Sequence, residues 1–169
     1  MEVVIQMINL LQYFTRKSIL PLTDIPYHQV MSYLISHCLA DYPSHIQEEA
    51  LTTIQSKSRT RSPQDINLGR GFALIHAKVD KVDHIHLVVG ILPKAKKLLK
   101  GEKVQSLFCI IIPSSESRIY LSMLARLGRM LRDPEAAKAF KHAGKLLSQG
   151  KHDEGSDIII SYVTKFEME

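Results

Sequence analysis

The spacing of apolar positions changes twice along the chain and divides it into thirds. In the first third the period is helical. After a short extended segment, SILPL at 18–22, Asp24 and Pro26 form a cap-then-proline helix start. The run from Tyr27 to Ala40 then sets Val30, Leu34 and Cys38, with Met31 and Ile35, on one stripe. Pro43 and Ser44 end it, and HIQEEALTTIQ (45–55) opens a second helix, capped by Ser44 with Glu48 in its first turn. From Lys57 to Arg70 the chain is polar and rich in breakers, which predicts a loop.

The middle third reads as strands: GFALIHAKV (71–79), HIHLVVGIL (84–92), and QSLFCIIIP (105–113), an almost unbroken apolar run. A run of that length fits a strand covered on both faces. The last third returns to helix. SRIYLSMLARLGRMLRD (117–133) places Tyr120, Leu124, Leu127 and Leu131 on one face, with Met123 and Met130 flanking and Arg126, Arg129 and Arg132 on a solvated side. Asp133-Pro134 caps a helix over 134–143 that stops at Gly144, and SDIIISYVTKF (156–166) is read as helix. Two helices, three or four strands and two or three helices predict one α/β domain over 1–169, a mixed β-sheet flanked by helices.

Composition narrows the class without changing it. A chain of 169 residues, 45% hydrophobic and 23% charged, supports a folded core and excludes wholesale disorder. Two cysteines, Cys38 and Cys109, make no disulfide framework, and no apolar run reaches the ~18–20 residues of a membrane span. Glu2 stands where a signal peptide carries positive charge, so the expected location is cytoplasmic, without membrane insertion. The net charge of +5 gathers in two places, Lys94, Lys96, Lys97, Lys100 and Lys103, and Lys57, Arg59 and Arg61. Neither holds a stacking aromatic, so a solvated loop or a dock for an acidic partner is favoured over nucleic-acid binding.

Candidate chemistry rests on histidine. There are eight, and no GxSxG, HExxH, Walker A or strand-GxGxxG pattern accompanies them. His84-x-His86 sets two imidazoles on one side of a strand, half a zinc site if His76 were the third ligand. No acid or cysteine motif completes it, and plain strand histidines are the favoured reading. Cys38 and Cys109 read as packing residues. His76 differs because Leu68-Gly69-Arg70-Gly71 leads into its strand. Glycines there let backbone amides approach an anion, and a histidine nearby suits nucleophilic attack on a phosphoryl group.

Three segments together resemble the IIA components of the bacterial phosphoenolpyruvate-dependent sugar phosphotransferase system, in the fructose/mannitol/nitrogen-regulatory class. They are Gly71-Phe72-Ala73-Leu74-Ile75-His76, the polar turn from Lys100 to Val104 with its apolar strand and Pro113, and IYLSMLARLGRMLRDPE (119–135). The resemblance covers roughly residues 8–165. It implies a mixed sheet flanked by helices and phosphorylation of His76 by an HPr-like phosphocarrier protein; no cofactor or metal is expected. A IIB domain, a transporter or a regulatory target would then receive the phosphoryl group. It also implies supporting roles for Arg70, for Arg59 or Arg61, for the amides around Gly69 and Gly71, and for Tyr120. The family's proline before the histidine is Ile75 here, its second histidine falls at Tyr120, and of its glycine-rich approach the last two glycines are kept. These departures leave a second reading open, a degenerate regulatory or binding module on the same fold without phosphoryl turnover.

Overall fold

The apolar run at 105–113 becomes the strand Val104–Ile112, buried at every residue. In the computed structural model, which describes residues 8–60, 66–97 and 103–169, it is the middle of five strands. In chain order the elements are β1 (Ile19–Pro21), α1 (Val30–Cys38), α2 (Ser44–Thr60), β2 (Ile66–Gly69), β3 (Phe72–Lys78), β4 (His86–Lys96), β5 (Val104–Ile112), α3 (Ser117–Leu131), α4 (Pro134–Ser148) and α5 (His152–Met168). The sheet order is β1-β4-β5-β3-β2. β1 runs parallel to β4 and β3 parallel to β5, while β4 and β5, and β2 and β3, are antiparallel.

Side-chain alternation along β3 and β5 divides the core in two. Phe72 and Leu74 of β3, with Phe108, Ile110 and Ile112 of β5, pack under α3, α4 and α5. Ala73, Ile75 and Ala77, with Leu107, Cys109 and Ile111, pack under α1 and α2. Cys38 and Cys109 are free and buried in this second layer. Each fully buried Leu, Ile or Phe contributes about 1.5–3 kcal/mol by leaving water, so both layers are needed to cover β5.

Four local readings are corrected. The second helix runs on to Thr60, with Ser44 as its first residue and not its cap. The polar segment before Gly71 contains β2, which pairs with β3 through a register shift at Asn67 and Gly69. Helix α4 does not stop at Gly144 but continues to Ser148. A Cβ at Gly144 would lie 2.3 Å from the Leu92 carbonyl oxygen, so this glycine marks where α4 presses onto β4. Arg126 is not solvated: its side chain is 17% exposed, bonds Glu167 at 2.8 Å and lies 4.9 Å from the centre of the Phe166 ring. It staples α3 to α5. The Asp133 cap stands as read, its carboxylate accepting from the Glu135 amide at 3.0 Å.

Candidate functional site

His76 is the fifth residue of β3 and pairs with Ile110 of β5. By alternation it shares the face of Phe72 and Leu74, toward the layer of α3, α4 and α5. Two residues later the strand ends. There the Val79 amide donates to the Ile112 carbonyl at 2.8 Å, and the Ser114 hydroxyl donates to the Asp80 carboxylate. These bonds hold the exit of β3 against the turn Ser114–Glu116, which leads directly into α3. The candidate site therefore lies at the carboxyl ends of two parallel strands, the edge where open α/β sheets place their ligands.

Tyr120, the fourth residue of α3, covers the His76 ring. The ring centres are 5.3 Å apart and the planes 28° from parallel. The contact is a stack of the two rings. The Tyr120 hydroxyl is sealed from solvent and, among the described residues, has no hydrogen-bond partner. Burial pushes its pKa up to about 12, so it stays protonated and keeps its proton to donate. Nδ1 of His76 is also sealed from solvent, although the residue as a whole is partly exposed. The exposed part of the residue therefore does not include Nδ1.

The first turn of α3 adds a second feature. Its first amides have no carbonyl partners within the helix, and the Glu116 side chain does not cap them. That end carries a partial positive charge, and His76 lies under its fourth residue. On either side of Tyr120, Ile119 and Leu121 are 36% and 62% exposed, and Arg118 is exposed too.

Other expected partners lie elsewhere. Gly69, Arg70 and Gly71 form the turn between β2 and β3, with φ of 81°, 55° and 86°. The Asn67 side chain accepts from the Gly69 amide at 2.8 Å, and a Cβ at Gly71 would press on Gln105 Cβ at 3.3 Å. These glycines serve a tight hairpin. At about 3.3 Å per residue, the five residues from Gly71 to His76 span roughly 16 Å. The turn is therefore at the far end of the strand, and Arg70 there donates to the Arg132 carbonyl at 2.5 Å. Arg61 and the Arg59 side chain lie outside the described residues. Ile75 points to the opposite face, where it is 2% exposed.

His76 is not the third ligand of His84 and His86. His86 pairs with Ile111 and points with it to the α1–α2 layer, the other face of the sheet from His76. Asp83 and Tyr42 are the neighbours that the sequence reading missed there. The Asp83 carboxylate lies 2.6 Å from His84 Nδ1 and 4.0 Å from His86 Nε2. The Tyr42 hydroxyl donates to Asp83 and lies 3.0 Å from His86 Nε2. Asp83 could have been found from the string Asp-His-x-His; Tyr42, from the link between α1 and α2, could not.

The sheet order, the helical layers and the placement of His76 define a class. The family described as "Phosphoenolpyruvate-dependent sugar phosphotransferase system, EIIA 2" matches residues 39–146, well over half of the chain. The protein belongs to this family of phosphotransferase-system IIA components. Two solved structures share its fold. The nitrogen regulatory protein IIA-Ntr from Neisseria meningitidis aligns with a TM-score of 0.67 at 12% identity, over 89% of this chain and 98% of its own. The mannitol-specific cryptic phosphotransferase enzyme IIA CmtB from Escherichia coli aligns with a TM-score of 0.64 at 18% identity, over 91% and 99%. No curated relative matches in sequence. Among the described residues no helix is long and apolar enough to cross a membrane.

Proposed function

We propose that this protein is a phosphocarrier in which His76 accepts a phosphoryl group from an HPr-like donor and passes it to a IIB domain or a regulatory target. The observation that carries this reading is the placement of His76. It is partly exposed at the carboxyl end of β3, with Nδ1 sealed and Tyr120 of α3 stacked on its ring. With Nδ1 inside, the attacking lone pair is that of Nε2. As the new N–P bond forms on Nε2, the N–P bond to the donor's histidine breaks and the donor ring leaves with the electron pair. Onward transfer repeats the exchange in the other direction.

Such a transfer asks the protein mainly for position and for charge stabilisation. The stack fixes the plane of the ring, so the lone pair is aimed before the donor arrives. The uncapped amino end of α3 favours the anionic phosphoryl oxygens. Exposed Ile119 and Leu121 beside Tyr120 offer an apolar seat for the donor or acceptor protein.

One observation favours the second reading, a regulatory module without turnover. Tyr120 is neutral where the family has a second histidine, and its hydroxyl is engaged with nothing among the described residues. The two readings separate on incubation with phosphoenolpyruvate, the first general phosphotransferase protein and an HPr-type protein. A phosphocarrier gains the mass of one phosphoryl group in intact mass spectrometry, and His76→Ala does not. No gain in the natural protein would leave the regulatory module.

A further inference from the structure

On the face of the sheet opposite His76, Asp83, His84 and His86 bring three ligand atoms together. Asp83 Oδ1, His84 Nδ1 and His86 Nε2 all lie within 4.8 Å of one another. The two imidazoles are packed with their centres 4.0 Å apart. We propose that these three residues bind one divalent transition-metal ion, zinc by the chemistry of the donors, on a site separate from the phosphoryl-accepting histidine.

Two imidazole nitrogens and one carboxylate oxygen suit Zn2+, and a water completes the fourth position. Zinc–nitrogen and zinc–oxygen bonds of about 2.0–2.2 Å place tetrahedral ligand atoms about 3.3 Å apart. The pair at 2.6 Å opens slightly and the pair at 4.0 Å closes slightly to reach that spacing. His84 and Asp83 have the freedom to do so, with side chains 67% and 76% exposed. His86, at 18%, is the fixed ligand, anchored where β4 begins.

The surroundings fit a metal site beyond its three ligands. Tyr42 donates to the Asp83 carboxylate, the kind of outer contact that orients a ligating oxygen. His86 also lines a groove of about 690 Å3 together with Arg16, His37, Tyr42, His152 and Asp153, which gives a hydrated ion a way in. An ion held there would tie the loop between β3 and β4 to the start of β4. Hard cations that prefer all-oxygen cages are discriminated against by the two imidazoles.

The test is calorimetric titration of the purified, metal-free protein with zinc chloride, repeated with magnesium chloride. The expected result is one equivalent of zinc bound in the micromolar range and no saturable heat with magnesium. His84→Ala, His86→Ala and Asp83→Ala should each weaken zinc at least tenfold, and Tyr42→Phe about tenfold as an orienting contact. His142, an exposed histidine of α4, serves as control, so His142→Ala should leave the titration unchanged. His84→Ala is the decisive variant, because so exposed a side chain is removed without harm to folding. A titration with no saturable zinc heat, or one that His84→Ala leaves unchanged, would overturn the proposal.

Discussion

The Tyr120 hydroxyl offers a perturbation whose two effects have opposite signs. Removing it by Tyr120→Phe keeps the ring that stacks on His76 at 5.3 Å and deletes one oxygen. That oxygen is sealed from solvent with no hydrogen-bond partner among the described residues. A buried polar group left unpaired costs about 1–3 kcal/mol, so its deletion should stabilise the resting protein by about 1–2 kcal/mol. In a chain of this size that raises Tm by about 3–6 °C. The phosphorylated state reverses the balance. A hydroxyl that donates to a phosphoryl oxygen on Nε2 contributes about 1.5–3 kcal/mol, as hydrogen bonds to charged groups do. Its loss should slow phosphoryl uptake about 10- to 100-fold. Calorimetric melting and rapid-quench phosphorylation by an HPr-type donor read the two quantities on one preparation. A Tm that falls would show that the hydroxyl is satisfied in the folded protein. An uptake rate unchanged within twofold would show that it never meets the phosphoryl group, and Tyr120 would then be a packing residue only.

Three further outcomes follow from the packing. Gly144→Ala should destabilise by about 2–3 kcal/mol, because the overpacking against the Leu92 carbonyl and the strained Gln105–Phe140 bond exceed the ~1 kcal/mol of helix propensity gained; urea unfolding measures it. Arg126→Ala should cost about 3 kcal/mol by stranding the buried Glu167 carboxylate, whereas Arg129→Ala, on the exposed side, should stay within 0.5 kcal/mol. Tyr120 and Tyr162 are both pushed up to about 12 by burial, while unfolded tyrosines ionise near 10. A raised folded pKa means full stability below about pH 10 and progressive loss as pH climbs toward 12, and Tyr120→Phe should flatten that decline in thermal melts.

Local patterns carried the central strand and the start of α4, because seven of the nine buried residues of β5 are apolar and α4 opens on Asp133-Pro134. What escaped them depends on contacts distant in sequence. β2 is four residues, INLG, whose strand character comes from pairing with β3 and not from its own propensity. Gly144 reads locally as a stop; the reason for a glycine there is the β4 backbone more than fifty residues earlier in the chain. Arg126 reads as solvated because Glu167, its partner, sits on the last helix. The same limit governs the site. The family resemblance brought His76 and Tyr120 together across more than forty residues, which spacing alone could not. Assigning the amides of Gly69 and Gly71 to His76 failed because five residues of extended chain separate the two ends of a strand.

Phosphoryl transfer at Nε2 of His76 would be visible in a long-range proton–nitrogen correlation spectrum of the histidine side chains. The protein is labelled with 15N and examined before and after phosphorylation by the phosphoenolpyruvate relay. The expected result is a shift confined to His76, in the pattern of a ring substituted at Nε2, and its absence from His76→Ala. A signal for phosphorylation at Nδ1, at any other of the eight histidines, or at none would contradict it.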